Sequence, residues 1–136
     1  MRHARVITSL VLFVGAVAAP GLAQAQGSNA MIGKSTYEGK CGGCHSLDKN
    51  RIGPAHRGVV GRKPGSVPGY TYSAAIKKLT GVWTPARLDA WLQGPQKVAP
   101  GNKMFLTVAD PTARANIIAY LQSVSPSGTG TKPSGR

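Results

Sequence analysis

Cysteine is scarce in this chain: there are two among 136 residues, at positions 41 and 44. A structural zinc site takes four ligands, and past the first 25 residues the chain offers only two cysteines and two histidines, Cys41, Cys44, His45 and His56, so zinc has poor support. Acidic residues are almost as rare, with four Asp and Glu against 17 Lys and Arg. No stretch beyond residue 25 is long and apolar enough to cross a bilayer, which takes about 20 residues. Alternating strand patterns and internal repeats are also missing, which removes the βαβ context that a thioredoxin-like Cys-x-x-Cys requires. The length allows one domain at most. Once both termini are set aside, about 95–100 residues must make the core, a size at which apolar burial alone is marginal. A cofactor inserted in the middle would supply much of the missing apolar surface.

The first 25 residues read as a secretory signal. Met1-Arg2-His3-Ala4-Arg5 forms a positive start, Val6 to Ala19 is apolar apart from Thr8 and Ser9, and Ala23-Gln24-Ala25 gives a small-x-small cleavage pattern. Cleavage near Ala25 would deliver the protein to the periplasm, and the rival reading is an uncleaved membrane anchor. Residues 26–124 then form the folded domain. Residues 125–136, rich in Ser, Gly, Thr and Pro, read as a disordered polar tail.

Both cysteines lie in Cys41-Gly42-Gly43-Cys44-His45, the attachment string for c-type haem. Two thiols at i and i+3 lie on one side of a helical turn, where each can form a thioether to a haem vinyl group. The next residue projects an imidazole toward the iron, and the two glycines leave no side chains to crowd the porphyrin edge. The residues before Cys41 look helical, which weighs further against a redox dithiol.

Around that motif the chain organises simply. Asn29 to Lys40 carries a helical pattern, and Asp48 to Pro68 reads as loop, rich in Gly and Pro. Tyr72 to Leu79 is a short helical candidate. Thr84-Pro85 supplies a cap and a first-turn proline, Gly94-Pro95 a stop, and Leu88, Trp91 and Leu92 the apolar face between them. Asp110-Pro111 repeats the opening signal for a last helix with Ile117, Ile118, Leu121 and Val124 as its buried stripe.

From Gly33 to Leu121 the sequence resembles the class I cytochromes c, of the mitochondrial cytochrome c and bacterial cytochrome c2 type. The likeness runs in register through Gly33 and Tyr37, Cys41-Gly42-Gly43-Cys44-His45, Gly53-Pro54 and Val60-Gly61-Arg62-Lys63. It continues through Pro68-Gly69-Tyr70-Thr71-Tyr72, Trp83, Pro100-Gly101-Asn102-Lys103-Met104 and Ile118-Ala119-Tyr120-Leu121.

The resemblance implies an all-α fold of about four to five helices and long loops wrapped around one covalent haem c. It makes His45 the proximal iron ligand and Met104 the distal one, with the Pro54 carbonyl accepting the other imidazole N–H. Arg62, Tyr72 and Trp83 match residues that hydrogen-bond haem propionates, and Gly33 and Tyr120 match the contact between first and last helices. Trp91 stands where the family usually has a tyrosine facing the distal pocket. His56 is the other conceivable distal ligand, but it follows Pro54 by two residues, which keeps it on the His45 side. The chain departs from mitochondrial relatives at Ile76, Leu106 and the shorter loop between His45 and Gly53.

Two axial ligands leave the iron no open position, so the resemblance implies an electron carrier and not an enzyme, expected to act as a monomer. Two alternatives stand beside that reading: a haem subunit of a periplasmic dehydrogenase, or a ligand sensor or peroxidase-like protein if Met104 leaves the iron. Removing Arg2 and Arg5 leaves 15 basic residues (17 − 2) against four acidic ones. Nucleic acid is not expected as a partner, because an exported chain rarely meets any. The basic balance instead suggests redox partners with acidic docking surfaces, such as a bc1-type complex, a terminal oxidase or a periplasmic dehydrogenase. Lys40, Lys97 and Lys103 are expected to rim the haem edge, with Lys63 standing apart.

Overall fold

The computed structural model describes residues 29–126; the signal segment and all but the first residues of the tail lie outside them. Among the described residues every regular element is helical: α1 (Ala30–Lys40), α2 (Ala74–Lys77), α3 (Pro85–Gln93), α4 (Pro95–Val98) and α5 (Pro111–Ser123). The start of each longer helix is written in its cap. Asn29 accepts N–H bonds from Met31 and Ile32, Thr84 accepts from Arg87 ahead of Pro85, and Asp110 accepts from Thr112 ahead of Pro111. Each side chain satisfies donors that the first helical turn leaves without partners.

One close crossing organises the molecule. α1 buries Gly33 and Tyr37 against α5, and a Cβ on Gly33 would fall 1.9 Å from the Asn116 carbonyl oxygen and 3.0 Å from Tyr120 Cβ. Only a residue without a side chain lets the two backbones approach this far. Asn116 reinforces the crossing by accepting the Asn29 N–H through Oδ1 at 2.7 Å.

The buried face of α5 is wider than its aliphatic stripe suggests. Ile117, Ile118 and Leu121 are buried, Val124 is half-buried, and Arg114, Asn116 and Tyr120 are buried with them. Arg114 tolerates burial because its charge and donors are occupied. Its Nε donates to Asp89 on α3 at 2.7 Å, and its Nη1 donates to the carbonyls of Val108 and Ala109 at 2.9 and 2.7 Å. One side chain thereby ties α5 to α3 and to the loop that precedes α5.

Two local expectations need adjustment. Gly94-Pro95 ends α3, yet Pro95 also opens α4, since a proline is tolerated in a first turn. The 72–79 candidate shrinks to the single turn of α2, capped by Ser73.

Candidate haem site

The helices and the long 45–72 loop enclose a cavity of about 390 Å³, within the usual range for small-molecule sites. Cys41, Cys44, His45, Pro54, Arg62, Tyr72, Trp83, Trp91 and Met104 all line it. Residues up to 63 positions apart in sequence (104 − 41) thus converge on one space.

The cysteine end is built by the exit of α1. The Cys41 and Gly42 N–H groups both donate to the Tyr37 carbonyl, and the His45 N–H donates back to the Cys41 carbonyl at 2.9 Å. The two thiols are free; Cys41 is buried and Cys44 exposed. Burial, helped by Cys44 and opposed by Lys40, pushes the Cys41 thiol up to about 11.

His45 is held from several sides. Its Nδ1 lies 2.8 Å from the Pro54 carbonyl, so the imidazole donates there and keeps Nε2 as its lone-pair nitrogen. Gly53 packs so close that a Cβ would fall 2.1 Å from Cε1 and 2.5 Å from Nδ1 of the ring. Burial lowers the His45 pKa, while the bond to Pro54 works in the opposite direction. A neutral imidazole with Nδ1 engaged by a carbonyl is the form that ligates metal.

The other end of the cavity is held by the loop between α4 and α5. Met104 Sδ accepts the Trp91 indole N–H at 3.2 Å, and Trp91 packs edge-on against Trp83 with ring centroids 5.3 Å apart. The loop owes its shape to two residues that sequence reasoning did not single out. Asn102 is buried; its Nδ2 donates to the Ala99 carbonyl at 2.8 Å and its Oδ1 accepts the Met104 N–H at 2.7 Å. Gln96 donates to the carbonyls of Asn102 and Met104 and accepts the Gly101 N–H. The only available signal was two amides flanking the Pro100-Gly101 turn.

Arg62 donates to the carbonyls of Ala55 and Arg57 at 2.7 and 2.9 Å, which places its guanidinium along the 55–57 turn at the cavity wall. Tyr72 Oη accepts the Val67 N–H at 3.3 Å. His56 lines the same cavity on the His45 side, with its ring stacked on that of His45 at a centroid distance of 3.9 Å and an interplanar angle of 19°. Burial, followed by the nearby His45 and Arg62, holds His56 well below the usual histidine range.

Lys40 and Lys103 stand at the cavity as expected. Lys63 joins them, whereas Lys97 lies outside the lining and its stem packs over Gly94.

The residues fit a haem. The cavity is walled by aromatic and aliphatic side chains, its edge carries two free thiols at Cys-x-x-Cys spacing, and it contains an imidazole and a thioether. This donor set defines a small all-helical protein of the c-type haem class. A family profile described as Cytochrome c matches residues 30–125, and the chain belongs to that family, whose members are monohaem electron-transfer proteins with covalent haem c.

Relatives agree with the profile. The c-type cytochrome cy of Rhodobacter capsulatus is 42% identical over 98 residues, covering 71% of this chain and 49% of that protein, so the chain spans about half of its length. Cytochrome c2 of Rhodopila globiformis is 44% identical over 95 residues, covering 68% of this chain and 90% of that one. Among solved structures, cytochrome cH from Methylobacterium extorquens superposes with a TM-score of 0.67 at 41% identity, covering 70% of this chain and 98% of that one.

Proposed function

We propose that the protein is a periplasmic single-electron carrier whose haem is thioether-linked to Cys41 and Cys44 and axially ligated by His45 and Met104. The observation that carries this reading is the pairing of donors within one cavity. His45 has Nδ1 committed to Pro54, and Met104 has its sulfur oriented by Trp91. When bound, the haem supplies the one-electron couple, and a methionine opposite a histidine raises its potential. The chain's own residues would surround the haem with largely apolar walls, hold both ligands in place and leave no coordination position for a substrate. Arg62, Tyr72 and Trp83 are assigned to the propionates.

Export is supported by the signal-like start of the chain and by its likeness to a bacterial cytochrome c2. Partners are redox proteins with acidic docking faces. The deciding experiment is the visible spectrum of the oxidised holoprotein beside that of Met104→Ala. The parent should show the weak sulfur-to-iron charge-transfer band, and the variant should lose it and bind cyanide rapidly. A band that persists in Met104→Ala would assign the distal position to another residue.

A further inference from the structure

His56 has no role in the ligand set, yet it occupies the space beside the proximal imidazole. Its ring lies almost parallel to His45 at 3.9 Å. It is anchored at both ends: the backbone N–H donates to the Ser46 carbonyl at 3.0 Å, and ring Nδ1 is 3.2 Å from Tyr37 Oη. Tyr37 is buried in the α1–α5 crossing, with its ring 5.3 Å from that of Tyr120. A continuous line of aromatic contacts therefore runs from α5 through Tyr37 and His56 to His45.

The bond from His45 Nδ1 to Pro54 and a metal bond at Nε2 would fix two points of the imidazole. Neither fixes rotation of the ring plane about the line through those points. Beyond the ring's own attachment through Cβ, that angle is held by what packs against the ring, and both the Gly53 backbone and the face of His56 do so. An aliphatic side chain at position 56 would fill similar volume, but it would offer neither a flat face nor a polar anchor.

We infer that His56 is a positioning residue which, stacked on His45 and anchored by Tyr37, sets the ring plane of the proximal ligand. The inference rests on His45 being an iron ligand. The plane of an axial imidazole decides which iron orbitals it mixes with, so it governs how unpaired spin spreads over the porphyrin of the oxidised protein. The four haem methyl groups report that distribution directly through their paramagnetic proton shifts.

The experiment compares the oxidised holoprotein with His56→Leu, His56→Phe and Tyr37→Phe, recording the sulfur-to-iron band and the haem-methyl shifts of each. The band tests the ligand assignment, and the methyl pattern tests the positioning role. With the band retained throughout, His56→Leu and Tyr37→Phe should change the order or spread of the methyl shifts. The double variant should change them no further than His56→Leu alone, because both residues act through one ring. His56→Phe, which keeps a stack without its anchor, should resemble Tyr37→Phe. A methyl pattern in His56→Leu and Tyr37→Phe identical to the parent's, with the band intact, overturns the inference. Loss of the band in His56→Leu alone also overturns it, since His56 would then bear on ligation itself. Absence of the band in the parent would instead refute the ligand assignment.

Discussion

The Trp91–Met104 hydrogen bond makes a quantitative claim about the reduction potential. The indole N–H reaches Met104 Sδ at 3.2 Å, and indole nitrogen is a donor only. With Met104 as the proposed iron ligand, its sulfur would give one lone pair to iron and keep another for this proton. Oxidised iron would draw more strongly on that sulfur and weaken it as an acceptor, so the bond would be stronger in the reduced state. On that ligation Trp91 would favour reduction, and Trp91→Phe should lower the potential. A neutral hydrogen bond contributes about 0.5–1.5 kcal/mol net. If most of that is lost on oxidation, a one-electron couple, for which a tenfold change in equilibrium corresponds to about 59 mV, should fall by about 20–60 mV.

The assay is an equilibrium redox titration of parent, Trp91→Phe and Trp91→Tyr. The two variants differ by one hydroxyl, so any effect of the smaller ring, including the altered packing against Trp83, is common to both. Tyr at this position retains a donor and should recover part of the loss. Equal potentials in the two variants, or a Phe variant at or above the parent, would refute the argument.

Three further outcomes are expected. Cys41→Ala combined with Cys44→Ala should abolish accumulation of holoprotein, and the parent's haem should survive acid–acetone extraction; extractable haem would disprove covalent attachment through this pair. Gly33→Ala should destabilise the holoprotein in thermal unfolding: overpacking costs about 1–3 kcal/mol, against a helix-propensity gain of roughly 1 kcal/mol. The backbone carbonyl 1.9 Å from the new Cβ cannot yield as a flexible side chain would, so an unchanged or raised Tm would contradict the crossing. Finally, Lys40→Glu with Lys103→Glu should slow electron transfer to an acidic acceptor in stopped flow and flatten its salt dependence. Reversal of Lys49 and Lys77, which do not line the cavity, should do so far less; equal slowing would mean that only net charge matters.

Local chemistry was the legible part of this molecule. Thr84-Pro85 and Asp110-Pro111 announce α3 and α5 because a cap and a first-turn proline act within four residues. The Cys-x-x-Cys-His string carries its own geometry in the same way. α4 escaped notice because the proline that stops one helix is equally suited to start the next. Long-range contacts were less legible. Arg114 and Asn116 read as surface residues by type, and it is the Asp89 carboxylate on α3, the carbonyls of the loop preceding α5 and the N-cap of α1 that satisfy them when buried. Nothing local to Trp91 discloses that its N–H meets Met104 instead of solvent. His56 was expected on the His45 side, but its stacking depends on how the 45–57 loop closes, with the Arg57 N–H on the Leu47 carbonyl and the His56 N–H on that of Ser46.

The basic character of the chain has a structural corollary that bears on docking. Each of its four carboxylates is already engaged. Glu38 lies 3.7 Å from Lys34 on the surface of α1, Asp48 chelates Arg57, Asp89 holds Arg114, and Asp110 caps α5. Surface pairs of the first kind add little to stability, and among the described residues no Asp or Glu forms an ion pair with the lysines around the cavity. There the exposed Ile52 and Phe105 accompany Lys40 and Lys103. Exposed apolar and basic side chains at one opening suit a short-lived interface, in which charge would raise the encounter rate and apolar contact would seat the partner. Attraction of this kind acts over about 8 Å at physiological salt, so it orients a partner during approach and contributes little to holding it afterwards. A carrier that must leave one partner to reach the next needs that division of labour.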